Sequence, residues 1–192
     1  MNVAARLATL GAKASNCRRC PLADDRTHVV FGEGDPAAGL MILGEAPGKQ
    51  EDQRGRPFCG PAGTRLTALL REIRMDRADV YIANVVMCRP PGNRRPRRDE
   101  VVTCAPFLDA QLRLVAPRVL ITLGASATRR RLGSHVTVAE ARGRAHDVDG
   151  VAVVPTYHPA ALNRVRGRAQ QAVDDFWLAR RILDRLAEPR QE

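Results

Sequence analysis

LMILGEAPGKQEDQRGRPFCGPAGTRLTALL, residues 40–70, passes from an apolar run through a glycine- and proline-rich stretch into a helical pattern. Four consecutive apolar residues suit a strand buried on both faces, and the run stops at Gly44-Glu45, where a carboxylate ends it. Residues 44–63 hold five glycines and three prolines around the acidic pair Glu51-Asp52, so they read as a loop. Beyond them, Gly63-Thr64 opens a segment that places Leu66, Leu69, Leu70 and Ile73 on one helical face.

The same order recurs down the chain. Apolar runs at 80–86, 119–123 and 151–154 are each followed by turn residues, and helical patterns lie between them. Asp99-Glu100 opens one that runs through Leu108, Leu112 and Val115; residues 124–132 form another; Val173, Phe176, Ala179, Leu183 and Leu186 mark a third. Strands alternating with helices predict an α/β fold, a mostly parallel four-stranded sheet covered on both faces. Sites in such folds gather at the carboxyl ends of strands. Those ends fall at Glu45, near Asn84, at Gly124 and just before Tyr157-His158.

With 192 residues, 44 % of them hydrophobic, one domain can bury its own core. The formal net charge is +10, and only Lys13 and Lys49 are lysines, so the surplus is carried by arginine. Guanidinium forks match phosphate geometry, which points to nucleic acid as the partner. No run is apolar enough for a membrane helix, and MNVAARLATLGAKA is amphipathic rather than a signal peptide, so the expectation is a cytoplasmic protein.

Four of the five cysteines, Cys17, Cys20, Cys88 and Cys104, form a C-x2-C pair and a distant second pair. That spacing suits a cofactor cage better than a disulfide framework. Zinc and iron–sulfur clusters both take four thiolates, but only the first pair has knuckle spacing, which favours a [4Fe–4S] cluster. Cys59 is left over and reads as a small buried hydrophobe.

Phe58 is one of only seven aromatic residues, and it sits in the glycine-rich loop. A strand ending in Glu45, a bend at Ala46-Pro47-Gly48 and a phenylalanine near glycines would offer one pocket a carboxylate and a flat apolar face. GEAPGKQEDQRGRPFCGPAG, NVVMCRPPGNRRP and TYHPAALNR, with the four-cysteine spacing, resemble the iron–sulfur (family 4) uracil-DNA glycosylases from Cys17 to about Arg164. The resemblance implies a three-layer sandwich, a [4Fe–4S] cluster on the four cysteines, and a monomeric enzyme that flips uracil out of single- or double-stranded DNA and hydrolyses its glycosidic bond.

It also assigns residues. Phe58 would stack on the flipped base, with Gly44 and Ala46 lining the same pocket; such stacking is worth about 1–3 kcal/mol. Asn84 would read the Watson–Crick edge, donating to uracil O4 and accepting from N3–H, polarities that cytosine inverts. Glu51 would crowd C5 and exclude the methyl of thymine. His158 would donate to O2 as charge develops there, and Glu45 would position water and stabilise the sugar cation. Leu162 would wedge into the duplex gap. Arg164, with Arg166, Arg168 and the arginines of 89–98, would neutralise phosphates.

Ala160 stands where the family often has serine, and Asn163 where it often has leucine, which removes one hydroxyl from the expected phosphate contacts. A branch that traps uracil-DNA covalently carries a histidine in the loop after the second motif and Gln at position 46. Residues 88–104 hold no histidine and residue 46 is alanine, against that branch. A non-catalytic iron–sulfur module for nucleic-acid binding or electron transfer would use the cysteines and arginines but leave Glu45, Phe58, Asn84 and His158 without a task.

Overall fold

The computed structural model describes residues 2–187. Its helices are α1 (Val3–Ser15), α2 (Lys49–Arg54), α3 (Pro61–Glu72), α4 (Arg98–Val115), α5 (Ala125–Leu132), α6 (Val138–Ala141) and α7 (Arg168–Ala187). Its strands are β1 (Glu33–Gly34), β2 (Leu40–Gly44), β3 (Tyr81–Asn84), β4 (Val119–Leu123), β5 (His146–Val148) and β6 (Val151–Thr156).

Alternation along the buried strands decides the layers, because successive side chains leave a strand on opposite faces. Leu40 and Ile42 of β2, Ile82 of β3, Val119 and Ile121 of β4 and Val154 of β6 point into one core, which α3 and α7 cover with Leu66, Leu70, Phe176 and Leu183. Met41, Leu43, Tyr81, Ala83, Leu120 and Val153 point into the other, against Leu7 of α1, Leu108 of α4 and Ala127 of α5. Two helical layers therefore sandwich the sheet, as expected.

The sheet has six strands rather than four, in the order β1-β3-β2-β4-β6-β5. The four expected from apolar runs are its central, parallel members. β1 and β5 are short antiparallel edges. An edge strand is buried little and needs no apolar run, so its sequence carries no such mark. Among the described residues, no helix is long and apolar enough to cross a membrane.

Within the loop expected at 44–63, residues 49–54 form α2. Buried Asp52 holds that helix against the preceding segment, accepting from the backbone N–H of Thr27 at 2.9 Å and His28 at 3.3 Å. The register of β2 on β3 sets Gly44 beside Asn84. Two strand ends thereby deliver their polar residues to one place.

Candidate active site

A cleft of about 530 Å³ opens at the carboxyl ends of β2, β3 and β6. Glu45, Ala46, Glu51, Phe58, Asn84 and His158, six residues singled out from the sequence, all line it. Gly44 lies directly beneath. A Cβ there would come within 2.3 Å of Asn84 Oδ1 and 2.5 Å of the Phe58 ring, so only glycine lets both side chains cross the strand end.

Phe58 is both core and cleft. It is 7 % exposed and packs with the α3–α7 core although it sits in the loop, and it also lines the cleft. Its backbone is left-handed, φ +50°, at a cost of about 1–3 kcal/mol for a residue with a Cβ. Arg77 holds that conformation, donating to the carbonyls of Pro57 at 2.8 Å and Phe58 at 3.1 Å. Arg77 is itself gripped by Glu33 of β1 at 2.5 Å, and Arg56 pairs with the same carboxylate at 2.8 Å. Burial pushes the Glu33 carboxyl up, but the two guanidiniums outweigh it and hold it below the usual range.

Asn84 lies on the cleft floor, 1 % exposed, and its Oδ1 has no hydrogen-bond partner. A buried acceptor left unpaired costs about 1–3 kcal/mol, which a ligand N–H would recover. Glu51 sits on α2 rather than in a solvated loop. Its Oε1 accepts from the Gly60 N–H at 2.8 Å, which fixes the carboxylate and closes the loop across the cleft rim.

His158 Nδ1 accepts from the Ala160 N–H at 3.2 Å. An accepting Nδ1 leaves the proton of a neutral imidazole on Nε2. Burial holds His158 below its ordinary 6.5, and the neighbouring charges of Glu45 and Glu51 only partly offset this, so the neutral form prevails. The rings of Phe58 and His158 lie 5.8 Å apart, tilted by 32°, too close to admit a third ring between them. A planar ligand must therefore lie across Phe58 with its edge towards His158. Arg65 of α3 donates to the Pro159 carbonyl at 3.2 Å and steadies the turn that carries the histidine.

Glu45 accepts a hydrogen bond from the hydroxyl of Ser126, in the first turn of α5. The N-terminal turn of α5 adds partial positive charge beside that carboxylate. Gly124, just before α5, has φ +83°, and a Cβ there would stand 3.0 Å from that of His158. One strand-to-helix turn thus touches both Glu45 and His158. Ser126 was absent from the sequence reading, although β4 was marked as a strand that should end at a site.

Two DNA-facing expectations fare differently. Leu162 is 6 % exposed and packed into the α3–α7 core, so it is not presented as a wedge in this structure. Burial of its apolar side chain in the turn of residues 159–164 is the physical reason. The side chain of Arg164 lies outside the described residues.

The outer wall of the cleft comes from the loop between Cys88 and Cys104, through Pro90, Asn93, Arg94 and Arg95. Fully buried Glu100 anchors that loop, accepting from Arg94 at 2.6 and 2.9 Å and from the Arg97 N–H at 2.7 Å. Behind it, Cys17, Cys20, Cys88 and Cys104 line one small cavity with Val29, Met87 and Phe107. Burial pushes the Cys104 thiol up to about 11 and raises Cys88 and Cys20. At Cys17 burial is outweighed by hydrogen bonds and charge from Arg19 and by the charge of Arg26, and the thiol is lowered. Arg26 also reaches Cys88 Sγ at 3.4 Å. Among the described residues, no group of three or more His, Cys, Asp or Glu is arranged to hold a metal ion. Cys59 is half-buried rather than buried, and stands apart from the four.

The model of the uracil DNA glycosylase superfamily matches residues 31–186. The chain belongs to that superfamily, in its type-4 branch. It is 46 % identical to the type-4 uracil-DNA glycosylase of Thermotoga maritima over 156 residues, 80 % of this chain and 81 % of the relative. Identity to the type-4 uracil-DNA glycosylase of Pyrobaculum aerophilum is 42 % over 185 residues, 91 % of this chain and 93 % of the other. A type-5 uracil-DNA glycosylase of Mycobacterium leprae shares 34 % over 213 residues, covering 86 % of this chain and 90 % of the relative. The superfamily match spans β1 through α7, so it covers every residue that lines the cleft.

Proposed function

We propose that this protein is a monofunctional uracil-DNA glycosylase that starts base excision repair, acting as a cytoplasmic, single-domain monomer on uracil-containing DNA. The observation that carries the reading is the unpartnered Oδ1 of Asn84 on the floor of a cleft whose walls are Phe58, His158 and Glu45. Uracil N3–H supplies the donor that Oδ1 lacks, and the Asn84 amide N–H meets O4. The base lies on Phe58, its C5 edge towards Glu51, where a methyl group would meet the pinned carboxylate.

As the bond from C1′ to N1 breaks, its electron pair passes to the base and spreads onto O2 and O4. Neutral His158 donates its Nε2–H to O2, an interaction that strengthens with the developing charge. Glu45 faces the sugar, stabilises the cationic C1′, orients the water that attacks it and accepts the proton which that water gives up as its oxygen bonds to C1′. The test is excision from a single-stranded oligonucleotide with one uracil, read as alkali-labile cleavage, beside a thymine control. Cleavage confined to uracil supports the reading. No cleavage by folded protein that still binds DNA would leave a nucleic-acid-binding module instead.

The pH profile is a second test. Because the fold keeps His158 below 6.5, the acid inflection of the single-turnover rate should lie below pH 6.5. The rate should fall only at more acid pH, where a proton on Nδ1 displaces the Ala160 N–H. A downward inflection at or above pH 6.5 would contradict a neutral donor.

A [4Fe–4S] cluster fits the cysteine cavity, because four thiols from three segments face one apolar space beside two arginines that offset thiolate charge. When bound it supplies a cross-link between the chain after α1, the end of β3 and α4; it takes no part in bond cleavage. Cys17→Ser should lose the visible absorbance and lower Tm by at least about 5 °C, each kcal/mol being worth about 2–4 °C in a chain of this size. A Cys17→Ser protein with unchanged Tm would exclude the structural role.

A further inference from the structure

Phe58 owes its place to side chains that never reach the cleft. Residues 56–59 lie between α2 and α3 and make no backbone–backbone hydrogen bond among the described residues, so side chains set their path. Three consecutive carbonyls of that segment accept from arginine. Arg77 donates to Pro57 at 2.8 Å and Phe58 at 3.1 Å, and Arg54, the last residue of α2, donates to Cys59 at 3.2 Å. Loop carbonyls are commonly left to water, so three in succession on guanidinium donors mark a segment held in one conformation.

Glu33 ties this arrangement together. Arg56 meets its carboxylate as a fork, Nε to Oε2 at 2.8 Å and Nη2 to Oε1 at 3.3 Å. The Arg77 Nη2 that reaches the Pro57 carbonyl also reaches Glu33 Oε1, at 2.5 Å. Pro57 and Phe58 are thereby enclosed between two arginines that share one counter-charge. Bracing of the edge strand does not account for the contacts, because β1 is already paired to β3, with Glu33 opposite Ile82. What the carboxylate adds is direction, turning Arg77 towards the two carbonyls of the loop.

The clamp is also referred to the strand that reads the base. Arg77 lies in the turn of residues 77–79 that leads into β3, and β3 ends at Asn84. The face offered by Phe58 and the edge read by Asn84 are therefore set against one element, and a base lying on the first meets the second without rearrangement. We infer that Glu33, Arg56 and Arg77 are positioning residues for capture of the flipped base. They hold Phe58 in its left-handed conformation before substrate arrives, so that none of the stacking energy goes into ordering the loop. None of the three lines the cleft, so they act only through Phe58. This rests on the reading of Phe58 as the stacking face given above.

The test compares affinities for two single-stranded oligonucleotides of one sequence, carrying at one position either 2′-fluoro-2′-deoxyuridine or a tetrahydrofuran abasic analogue. The fluorine disfavours the sugar cation and keeps the base attached during titration, whereas the analogue has no base to stack. Wild type should prefer the base-bearing strand, and Phe58→Ala should lower that preference by about 10–100-fold. Arg77→Met should lower it by about tenfold and Glu33→Gln by at least about threefold, with affinity for the abasic strand unchanged. In a Phe58→Ala background neither substitution should lower the preference further. Arg71→Ala, whose partner Asp76 stands 3.9 Å away on the exposed surface, should behave as wild type. An ion pair that only stabilises the fold would weaken both strands alike or lower Tm alone. That result, or a loss that adds to the loss from Phe58→Ala, would overturn the clamp; if Arg77→Met does not fold, the nearly isosteric Glu33→Gln decides. A wild type with no preference for the base-bearing strand would instead remove the reading on which the clamp rests.

Discussion

Replacing Glu45 by alanine is expected to lower single-turnover uracil excision by roughly 10²–10⁴-fold while binding of the uracil-containing strand changes little. The split follows from where the carboxylate stands. Glu45 lines the cleft where β2 meets the first turn of α5, apart from the Asn84 floor, so on the reading above it faces the sugar rather than the base and acts on what changes most between substrate and transition state. Its placement does not depend on substrate. The Ser126 hydroxyl and the N-terminal turn of α5 already hold it, and such preorganisation makes a charge effective in a site with little water. The measurement is alkali-labile cleavage under enzyme excess, with affinity taken from titration of the same oligonucleotide. A loss below about tenfold would place the water and the sugar cation under some other group.

The sequence announced Glu45, Asn84 and His158 because each follows an apolar run, and runs buried on both faces are the clearest strand signal in an α/β chain. What escaped it joins positions far apart. Ser126 meets Glu45 across a separation of 81 residues and Arg77 meets Glu33 across 44. A lone serine or arginine carries no periodic mark, so only the fold can pair it. The two edge strands escaped for a related reason: Glu33–Gly34 and His146–Val148 are too short and too exposed to need an apolar pattern. Edge position nevertheless gives β1 a function, since Glu33 anchors the arginine that fixes the Phe58 backbone. Leu162 shows the opposite relation between motif and packing. Its place four residues after His158 marks it by motif, but the hydrophobic effect draws it into the core, where motif position says nothing about exposure.

The second large effect concerns which pyrimidine is accepted. Asn84→Asp changes an amide into a nearly isosteric carboxyl group, so the close packing over Gly44 and beside Phe58 is preserved. The chemistry is not. An ionised carboxylate has no donor for uracil O4 and repels the negative charge that the departing base acquires, so uracil excision should fall by about 10²–10³-fold. With cytosine in the cleft, a single proton shared between the carboxylate and N3 makes one hydrogen bond and the other oxygen accepts from the 4-amino group, a pairing that uracil, with O4 in place of the amine and its own proton on N3, does not offer to the carboxylate. Cytosine excision should therefore appear in the variant. Discrimination by a buried hydrogen-bonding group reaches roughly 10⁴–10⁵, because the wrong partner leaves donors and acceptors unpaired, and most of that ratio should collapse. Excision from matched oligonucleotides containing uracil or cytosine measures it directly. If Asn84→Asp excised uracil at the wild-type rate, the amide would not be reading the base edge. The loop bearing Phe58 and Glu51 would then have to carry all of the selectivity, which a flat ring and one pinned carboxylate cannot do between bases that differ only along the edge facing Asn84.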